Sequence, residues 1–399
     1  MKPASIFILI SIAMVLSCST FQVQQEIEIK AGEYNRPQAP MYTDILLPSV
    51  STNMPVCLSD GKHKIPGQIE NLGSGLARVW WLQSAMQAGE TQNWTIFIGK
   101  SCGKTIYSWT DTTGNTMVLD ENGQPVLEYD YPAFDPNQAD LTQRPFHQVY
   151  SPDGSELITK GLGGLHPHHR GIFFGYRDVS IGDSTVNFWS TVNGSHTVHQ
   201  ALVNQTVGPV FGGHTVNIEW TDGNQTPLAM ETRTLRTFRL EDGSMLVDFE
   251  TRLKSMGEPM QLGGNRHHAG VQFRAAQDVA EHQETTRFLR PEPWAQYPQD
   301  AELDESTTND MPWDAMLFNI GNNNYTVVYF SAPSNPGPAD MGERKYGRIG
   351  EYIPWALDTQ TPLELHYRFW VLNGHIQDRD KVQTMYNILG EPIEIISYN

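Results

Sequence analysis

This chain contains few cysteines and few basic residues. Each shortage limits the classes of protein to which the chain can belong. Its 399 residues include only three cysteines, and 27 lysines and arginines stand against 45 aspartates and glutamates. The resulting formal net charge of −18 argues against nucleic acid or an anionic membrane surface as a partner. A chain of this length buries a large core without disulfides or metals, and two domains are expected.

Long apolar runs are also lacking, except for one at the N-terminus. Residues 6–16 are almost entirely apolar and precede Ser17-Cys18, but the run is too short to span a bilayer. A small residue before cysteine resembles a bacterial lipoprotein processing site. We therefore expect residues 1–18 to form a lipoprotein signal peptide, with Cys18 lipidated and the protein anchored to a membrane of the cell envelope, in the periplasm. Cleavage without lipid attachment is the alternative.

The two remaining cysteines, Cys57 and Cys102, both lie in the N-terminal region. An exported protein meets an oxidising compartment, so a disulfide between Cys57 and Cys102 is expected. Neither cysteine lies near the histidine segments described below, so neither is expected to be catalytic.

Glycine, proline and aromatic residues are plentiful, which favours β-strands joined by turns. Short alternating segments broken by turn residues predict a small immunoglobulin-like β-sandwich over residues 26–105. Residues 110–399 are predicted to form one large antiparallel β domain, with hairpin turns at the Asn-Gly of residues 122–123 and the Asp-Gly of residues 242–243.

A single clear helix is predicted, close to the C-terminus. It runs from Arg379 to Leu389, where apolar residues recur at helical spacing. Asp378 is the expected N-cap, and Gly390 is the expected stop.

Histidine is unevenly distributed along the chain. Seven of the 13 histidines lie in three short segments, and the densest segment reads His-Pro-His-His-Arg between glycines. Because the unperturbed pKa of histidine lies near neutrality, such clustering concentrates proton-transfer or metal-binding capacity, and we predict that the segments converge on one site. The alternative is a polar edge strand, on which alternation would put His166, His168 and Arg170 on one face and His169 on the other. The seven histidines are His166, His168, His169, His196, His199, His267 and His268.

Basic residues accompany these histidines in an otherwise acidic chain. Together they would form a local positive pocket, which suits a small anionic ligand such as a carboxylate or a sulfate. The residues concerned are Arg170, Arg177, Arg266, Arg344, Lys345 and Arg348.

Several catalytic signatures are missing from the sequence. It has no Gly-x-Ser-x-Gly nucleophile motif, no P-loop and no dinucleotide-binding glycine pattern. A glycosidase normally needs two carboxylates set across the scissile bond. The acidic residues near the histidine segments, Asp178, Asp183 and Glu343, form no paired arrangement, so a glycoside hydrolase is an alternative rather than the main expectation.

Several stretches match the pattern of a known family, and the most specific is His-Pro-His-His-Arg-Gly at residues 166–171. Over about residues 25–375 the chain resembles the bacterial family called domain of unknown function 6807, also named the PmoA family. The other matching stretches are residues 87–90, 125–129, 187–189, 268–274, 333–336 (Pro-Ser-Asn-Pro) and 344–348 (Arg-Lys-Tyr-Gly-Arg).

This resemblance implies an all-β fold whose large domain is a super-sandwich like that of galactose mutarotase. The complete expectation is therefore a small N-terminal β-sandwich, then a large antiparallel super-sandwich, then the short C-terminal helix. The resemblance also implies a setting among secreted carbohydrate-degrading enzymes. The chain is also similar to proteins proposed to dehydrate uronic-acid oligosaccharides from algal polysaccharides such as ulvan.

Histidine, arginine and tyrosine together suit β-elimination from a uronate. The proton next to the carboxylate is weakly acidic, so the developing enolate needs a cation beside it and a positioned base. Loss of water would make the protein a dehydratase, and loss of a sugar would make it a lyase. The catalytic candidates are Arg170 or Arg348 for the carboxylate, His168 or His268 as the base, Tyr346 or His166 as the acid, and His169 beside them.

Further side chains are expected to bind the oligosaccharide substrate. Tyr176 and Trp189 would stack on a pyranose ring, although each is equally compatible with a place in the core. The other candidates are basic or histidine side chains: His196, Arg266, His267, Arg344 and Arg348.

Other functions stay open at this point. His166 and His168 could bind a divalent metal with a third ligand, which would also assist elimination, although no cofactor is firmly implied. A second hypothesis, from a different functional class, is a lipid-anchored carbohydrate-binding protein that catalyses no reaction. An aldose epimerase is supported by fold analogy alone.

Overall fold

The computed structural model describes residues 23–47, 54–304, 307–391 and 393–398. The predicted signal peptide and Cys18 lie outside these residues. The described chain is almost entirely antiparallel β-sheet, which confirms the predicted fold class. No helix within it is long and apolar enough to cross a bilayer.

The N-terminal module is one seven-stranded sheet. Side chains at alternate positions of its strands pack together, among them Ile29, Val79, Trp81 and Ile96, and form a separate apolar core. The strands are β1 (Val23–Lys30), β2 (Ala39–Leu46), β3 (Val56–Ser59), β4 (Lys64–Gly73), β5 (Leu76–Gln83), β6 (Thr91–Ile98) and, from the C-terminus, β27 (Glu394–Tyr398), in the order β2-β5-β4-β3-β6-β1-β27.

Two details of this module bear on the sequence predictions. Cys57 on β3 and Cys102 beyond β6 form a disulfide, as expected for this pair. The last strand of the chain, β27, pairs with β1, so residues 394–398 belong to the N-terminal sheet although they lie within the predicted large domain.

The large domain contains two eight-stranded sheets. The front sheet has the order β23-β24-β19-β11-β10-β9-β8-β7. Its strands are β7 (Tyr107–Asp111), β8 (Thr116–Glu121), β9 (Gln124–Asp130), β10 (Phe146–Val149), β11 (Ile172–Tyr176), β19 (Ala269–Arg274), β23 (Asp340–Arg344) and β24 (Arg348–Tyr352).

The back sheet has the order β14-β15-β16-β17-β26-β22-β21-β20. Its strands are β14 (His196–Thr206), β15 (Gly212–Thr221), β16 (Pro227–Arg239), β17 (Met245–Ser255), β20 (Arg287–Leu289), β21 (Trp313–Ile320), β22 (Asn323–Ser331) and β26 (Leu363–Asn373). A four-stranded sheet joins β12 (Asp178–Ile181), β13 (Ser184–Val186), β18 (Met260–Gly263) and β25 (Trp355–Leu357). The α-helices are α1 (Ala139–Thr142), α2 (Gln277–Glu281) and α3 (Arg379–Gly390).

The front and back sheets bury their facing sides against each other. Period-2 alternation sends Ile172 and Phe174 of β11 into a core shared with Val247 and Phe249 of β17, whereas Phe173 points to the opposite face. The outer face of the back sheet is in turn covered by α3 and the N-terminal module through a second apolar cluster. The outer face of the front sheet therefore remains as a platform for loops.

Helix α3 shows how local sequence determines one of these contacts. The Asp378 side chain accepts a hydrogen bond from the Lys381 amide, which is the predicted N-cap. Val382, Met385 and Ile388 lie on one side of the helix and are buried against the back sheet.

We expect Asp378→Ala to lower the local opening free energy of α3 by about 1 kcal/mol, because the cap bond is lost. Hydrogen exchange of the amides of residues 382–386 measures this directly. Asp378→Asn is the matched control, since asparagine retains the acceptor. Equal exchange rates in the two variants would contradict the capping role.

Candidate functional site

The site lies on the outer face of the front sheet. Strand alternation turns Phe173, Gln272, Arg274 and Arg348 to this face, while their neighbours enter the core. Here β11, β19 and β24 are adjacent, so residues far apart in sequence become close neighbours.

The histidine loop, residues 160–171, is hydrogen-bonded to this face at both ends. The Lys160 amide donates to the Arg274 carbonyl (2.9 Å), and the Arg274 amide donates to the Gly171 carbonyl (2.8 Å). The Gly171 amide closes the loop on the Lys160 carbonyl at 2.8 Å. Gly171 has φ +46°, and a Cβ there would lie 1.9 Å from the His147 carbonyl oxygen, so only glycine fits.

Within the loop the histidines lie on a compact turn, not on an extended strand. The His169 amide donates to the His166 carbonyl (2.9 Å), and His166 has a left-handed φ of 53°. The Lys160 ammonium donates a hydrogen bond to the His169 carbonyl at 3.1 Å, and this bond stabilises the turn. The edge-strand alternative, which would have divided the histidines between two faces, is therefore wrong, and the ring centroids of His168 and His169 are 4.3 Å apart.

Two of the three histidine segments, at residues 166–169 and 267–268, converge as predicted. The third segment does not join them, because His196 stacks on Phe134 and His199 Nδ1 lies 3.0 Å from the Tyr129 hydroxyl. The Trp189 ring lies 6.5 Å from His168 and 5.4 Å from His169, and its other neighbour is His268 at 6.2 Å. The Tyr346 ring lies 5.0 Å from His166. Three loops, at residues 166–169, 265–268 and 344–348, thus meet above the front sheet, although more than 70 residues separate each from the next.

Guanidinium groups surround the second histidine segment. The Nδ1 of His267 is 2.6 Å from Arg348 Nη2, and its Nε2 is 2.6 Å from Arg344 Nη2. A neutral imidazole accepts at one nitrogen only, so this group has more donors than acceptors. Burial, and then Arg348, Arg344 and Arg266, lower the pKa of His267 to about 2, so its ring stays uncharged between them.

Several buried donors near these loops have no hydrogen-bond partner in the part of the chain that the structure describes. They are Nε and Nη2 of Arg274, Nε of Arg348, Nε and Nη1 of Arg144, and Nε1 of Trp189. A buried donor without an acceptor costs roughly 1–3 kcal/mol, so such a set favours a ligand rich in acceptors.

Several buried or half-buried cations lie close together at the site. Burial, followed by the nearby cations, lowers the pKa of Lys160 to about 8 and that of Arg144 to about 9. Burial also lowers the pKa of Arg348 to about 10, to which Arg344 and Arg266 contribute. Each cation is destabilised by repulsion from the other cations nearby. A bound anion would offset this repulsion.

The accessible histidines are unprotonated at neutral pH for the same reasons. Burial, and then Arg144, lower the pKa of His168 to about 3. The pKa of His166 is lowered by burial and by Arg274, and that of His268 by burial and by Arg177. The Nδ1 of His268 lies 3.0 Å from Asn265 Oδ1, which accepts only, so Nδ1 carries the proton and Nε2 carries the lone pair.

Four predicted site residues are held in structural contacts. Arg170 is fully buried and donates to the backbone carbonyls of Asp140, Leu141 and Pro167. Tyr176 is a core residue whose hydroxyl donates to the Ile353 carbonyl (2.8 Å). His196 is buried and stacks on Phe134, and Arg266 donates to the carbonyls of Leu303, Asp304 and Met341.

The sequence reasoning missed Lys160, Arg274, Arg144 and Asn265 as members of the site. Arg274 ends the matching stretch 268–274, and strand alternation from the inward-facing Phe273 would have placed it on the outer face. Arg144 carries no comparable signal, because a tertiary contact brings it close to His168, and the sequence gives no sign that the Lys160 side chain folds back onto the His169 carbonyl of its own loop.

The metal alternative lacks a ligand set. His166 and His168 have ring centroids 6.0 Å apart, and across the described residues no three His, Cys, Asp or Glu side chains are grouped to hold an ion. The cations beside these histidines also disfavour a bound metal ion.

The family comparison agrees with the resemblance seen in the sequence. The model of the family of unknown function DUF6807 matches residues 116–387, and the chain belongs to this family. The matched residues contain seven of the eight strands of the front sheet, all but β7, and all the site loops. No curated protein matches the chain.

We expect Gly171→Ala to destabilise the protein strongly. The left-handed backbone costs about 1–2 kcal/mol for alanine, and the clash with the His147 carbonyl adds about 1–3 kcal/mol. Gly182→Ala is the matched control, because Gly182 has φ +53° and open space around it. Thermal unfolding of both variants measures the difference, and equal melting temperatures would show that the loop tolerates a side chain.

Proposed function

We propose that this DUF6807 member is a carbohydrate-active enzyme that breaks a carbon–oxygen bond of uronic-acid-containing oligosaccharides by β-elimination. The observation that carries the proposal is the meeting of unprotonated histidines, a tyrosine and a surplus of guanidinium donors in one group of loops. Elimination beside a carboxylate needs a cation, a base and an acid, and this set supplies all three.

The substrate carboxylate would lie against Arg344, whose side chain is 27% exposed and forms an ion pair with Glu302 at 3.2 Å, so the substrate would share this guanidinium with Glu302. Arg348 and Arg274 lie behind it, fully buried, and their charge would stabilise the enolate that forms when the α-proton leaves. Arg170, in contrast, has no part in this proposal, because its donors are taken by backbone carbonyls.

The proton transfers can be assigned to accessible side chains. His268 Nε2 would take the proton from the carbon next to the carboxylate. Tyr346, whose ring lies 5.0 Å from that of His166, would donate a proton to the leaving oxygen, because the lowered pKa of His166 leaves its imidazole without the proton an acid must give. One C–H and one C–O bond break and a C=C bond forms, with no net oxidation. A leaving hydroxyl makes the enzyme a dehydratase, and a leaving sugar makes it a lyase.

A glycoside hydrolase is the second candidate, because one carboxyl pair lies nearby on the same sheet. Gln148 Nε2 donates to Glu128 Oε1 (2.6 Å) and to Asp130 Oδ2 (3.0 Å). Burial, and then Glu128, raise the pKa of Asp130 to about 6, as suits an acid catalyst. Elimination is favoured because this pair lacks the surplus of cations that a uronate needs.

The proposed setting is the periplasm of a bacterial cell envelope, with a lipid anchor at Cys18. Oligosaccharides released by polysaccharide breakdown would reach the enzyme there.

We expect His268→Ala to lower kcat on uronate oligosaccharides by about 10²–10⁴-fold, because the base is lost. Ultraviolet absorbance of the new double bond, together with product mass, measures turnover and separates elimination from hydrolysis. His63→Ala is the matched control, since His63 lies on the surface of the N-terminal module. Elimination at the wild-type rate in His268→Ala would remove His268 from the mechanism, and hydrolysis products would favour the carboxyl pair.

The pH profile should show full activity well below the ordinary histidine pKa. Because the pKa of His268 is lowered, its base form persists as the pH falls through about 6.5, and the acidic limb should lie below that value. Above pH about 8, Lys160 loses its charge and the KM for an anionic substrate should rise.

Lys160→Met should raise KM at neutral pH and remove the alkaline rise, whereas Lys64→Met, at an exposed position, should change neither. An acidic limb at or above 6.5 would contradict the depressed histidine pKa.

A further inference from the structure

A second polar cleft lies on the opposite side of the sandwich, between the N-terminal module and the outer face of the back sheet. Its main cavity has a volume of about 630 Å³ and is lined by Tyr42, Arg78, Asp248, His366 and Arg368, among others. An adjoining cavity of about 350 Å³ shares Glu250, Ser334 and His366 with it. The two cavities are therefore parts of one cleft, here called the interdomain cleft.

Strand register explains why polar side chains line the cleft. Asp248, Glu250 and Arg252 on β17 pair with Arg368, His366 and Glu364 on β26, and all six residues line one or both cavities. Alternate residues of these strands enter the apolar core. The Pro-Ser-Asn-Pro stretch at 333–336 forms one rim. In it the Asn335 amide binds the backbone of His366, accepting from its N–H (2.7 Å) and donating to its carbonyl (2.9 Å).

Charges in the cleft are paired, in contrast to the histidine site. Arg368 binds Asp248 in a bidentate pair (2.5 and 2.8 Å), and Arg78 binds Asp44 in the same way (2.7 and 2.9 Å). Arg252 donates to Glu364 at 2.8 Å. The cleft therefore offers fixed donors and acceptors without a strong net field, which disfavours an ion and favours an uncharged polar ligand.

Two nitrogens in the cleft point to a ligand. Arg368 is 4% exposed and its Nη1 has no hydrogen-bond partner among the described residues. His366 Nε2 is likewise without one, and it lies 3.9 Å from Asp248 Oδ2. Hydroxyl groups of a ligand would supply the missing hydrogen-bond partner of each nitrogen, since a hydroxyl can both donate and accept.

An aromatic surface completes the arrangement. Tyr42 is 43% exposed; its ring packs on Trp80 at a centroid distance of 4.7 Å, and the Arg78 guanidinium lies over the ring, 3.8 Å from its centroid. Sugar rings combine a C–H face with a rim of hydroxyls, and aromatic rings beside dense polar groups match both. We propose that the interdomain cleft binds an uncharged saccharide segment. Saccharide binding follows from the residues of the cleft alone, whereas the further idea that the bound units belong to the glycan processed at the histidine site rests on the proposed function.

The test is calorimetric titration of the full chain with two neutral probes, xylohexaose and carboxyl-reduced oligosaccharides from ulvan. We expect a dissociation constant below about 1 mM for at least one probe. His366→Ala and Tyr42→Ala should each weaken it at least tenfold. Tyr34→Ala is the matched control, because Tyr34 is an exposed tyrosine of the same module outside the cleft.

Three outcomes would overturn the proposal: no binding of either probe, unchanged binding in both cleft variants, or equal loss in Arg344→Ala at the histidine site. Circular dichroism of each variant excludes misfolding as the cause of a loss. Uronate elimination by His366→Ala separates this proposal from the catalytic one, since short charged substrates should be turned over at the wild-type rate. Failure of elimination in the unmodified chain would leave the cleft result unaffected.

Discussion

The hydrogen bonds made by the backbone of Arg274 are the constraint on which the histidine site depends. Its carbonyl and amide hold the two ends of the histidine loop. Its guanidinium donates to the carbonyls of Ala275, Tyr346 and Gly347 and lies 4.9 Å from the Tyr346 ring centroid. One residue of a central strand therefore fixes two loops relative to each other. Strands position side chains more precisely than loops do. Because both loops are hydrogen-bonded to this strand, their side chains take defined positions.

Local features of the fold were predictable from sequence. The hairpin turns at residues 122–123 and 242–243 and the helix capped by Asp378 depend on short-range chemistry, and the structure confirms them. The pairing of β27 with β1 was not predictable, because nothing within residues 394–398 indicates a partner more than 360 residues away.

The residue types of the site could be predicted from the sequence. Their three-dimensional arrangement could be predicted only in part. Clustered histidines and arginines indicated that the segments meet, and the segments at 166–169 and 267–268 do, whereas His196 and His199 contact Phe134 and Tyr129 instead. The conformation of the loop was not accessible, because the left-handed turn at His166 is stabilised by Lys160 and β19 rather than by its own sequence. The same contacts turn Arg170 towards the carbonyls of Asp140 and Leu141, where simple alternation would have placed it beside His166 and His168.

The terminal strand pairing has a consequence for how the protein is made. Strand β1 lies between β6 and β27, so its outer edge stays unpaired until residues 394–398 have been synthesised. An unpaired edge invites pairing with other chains. The N-terminal sheet, although first to emerge, is thus completed last, and contacts of such long sequence separation form slowly. Termination before residue 394 would leave an aggregation-prone edge on β1.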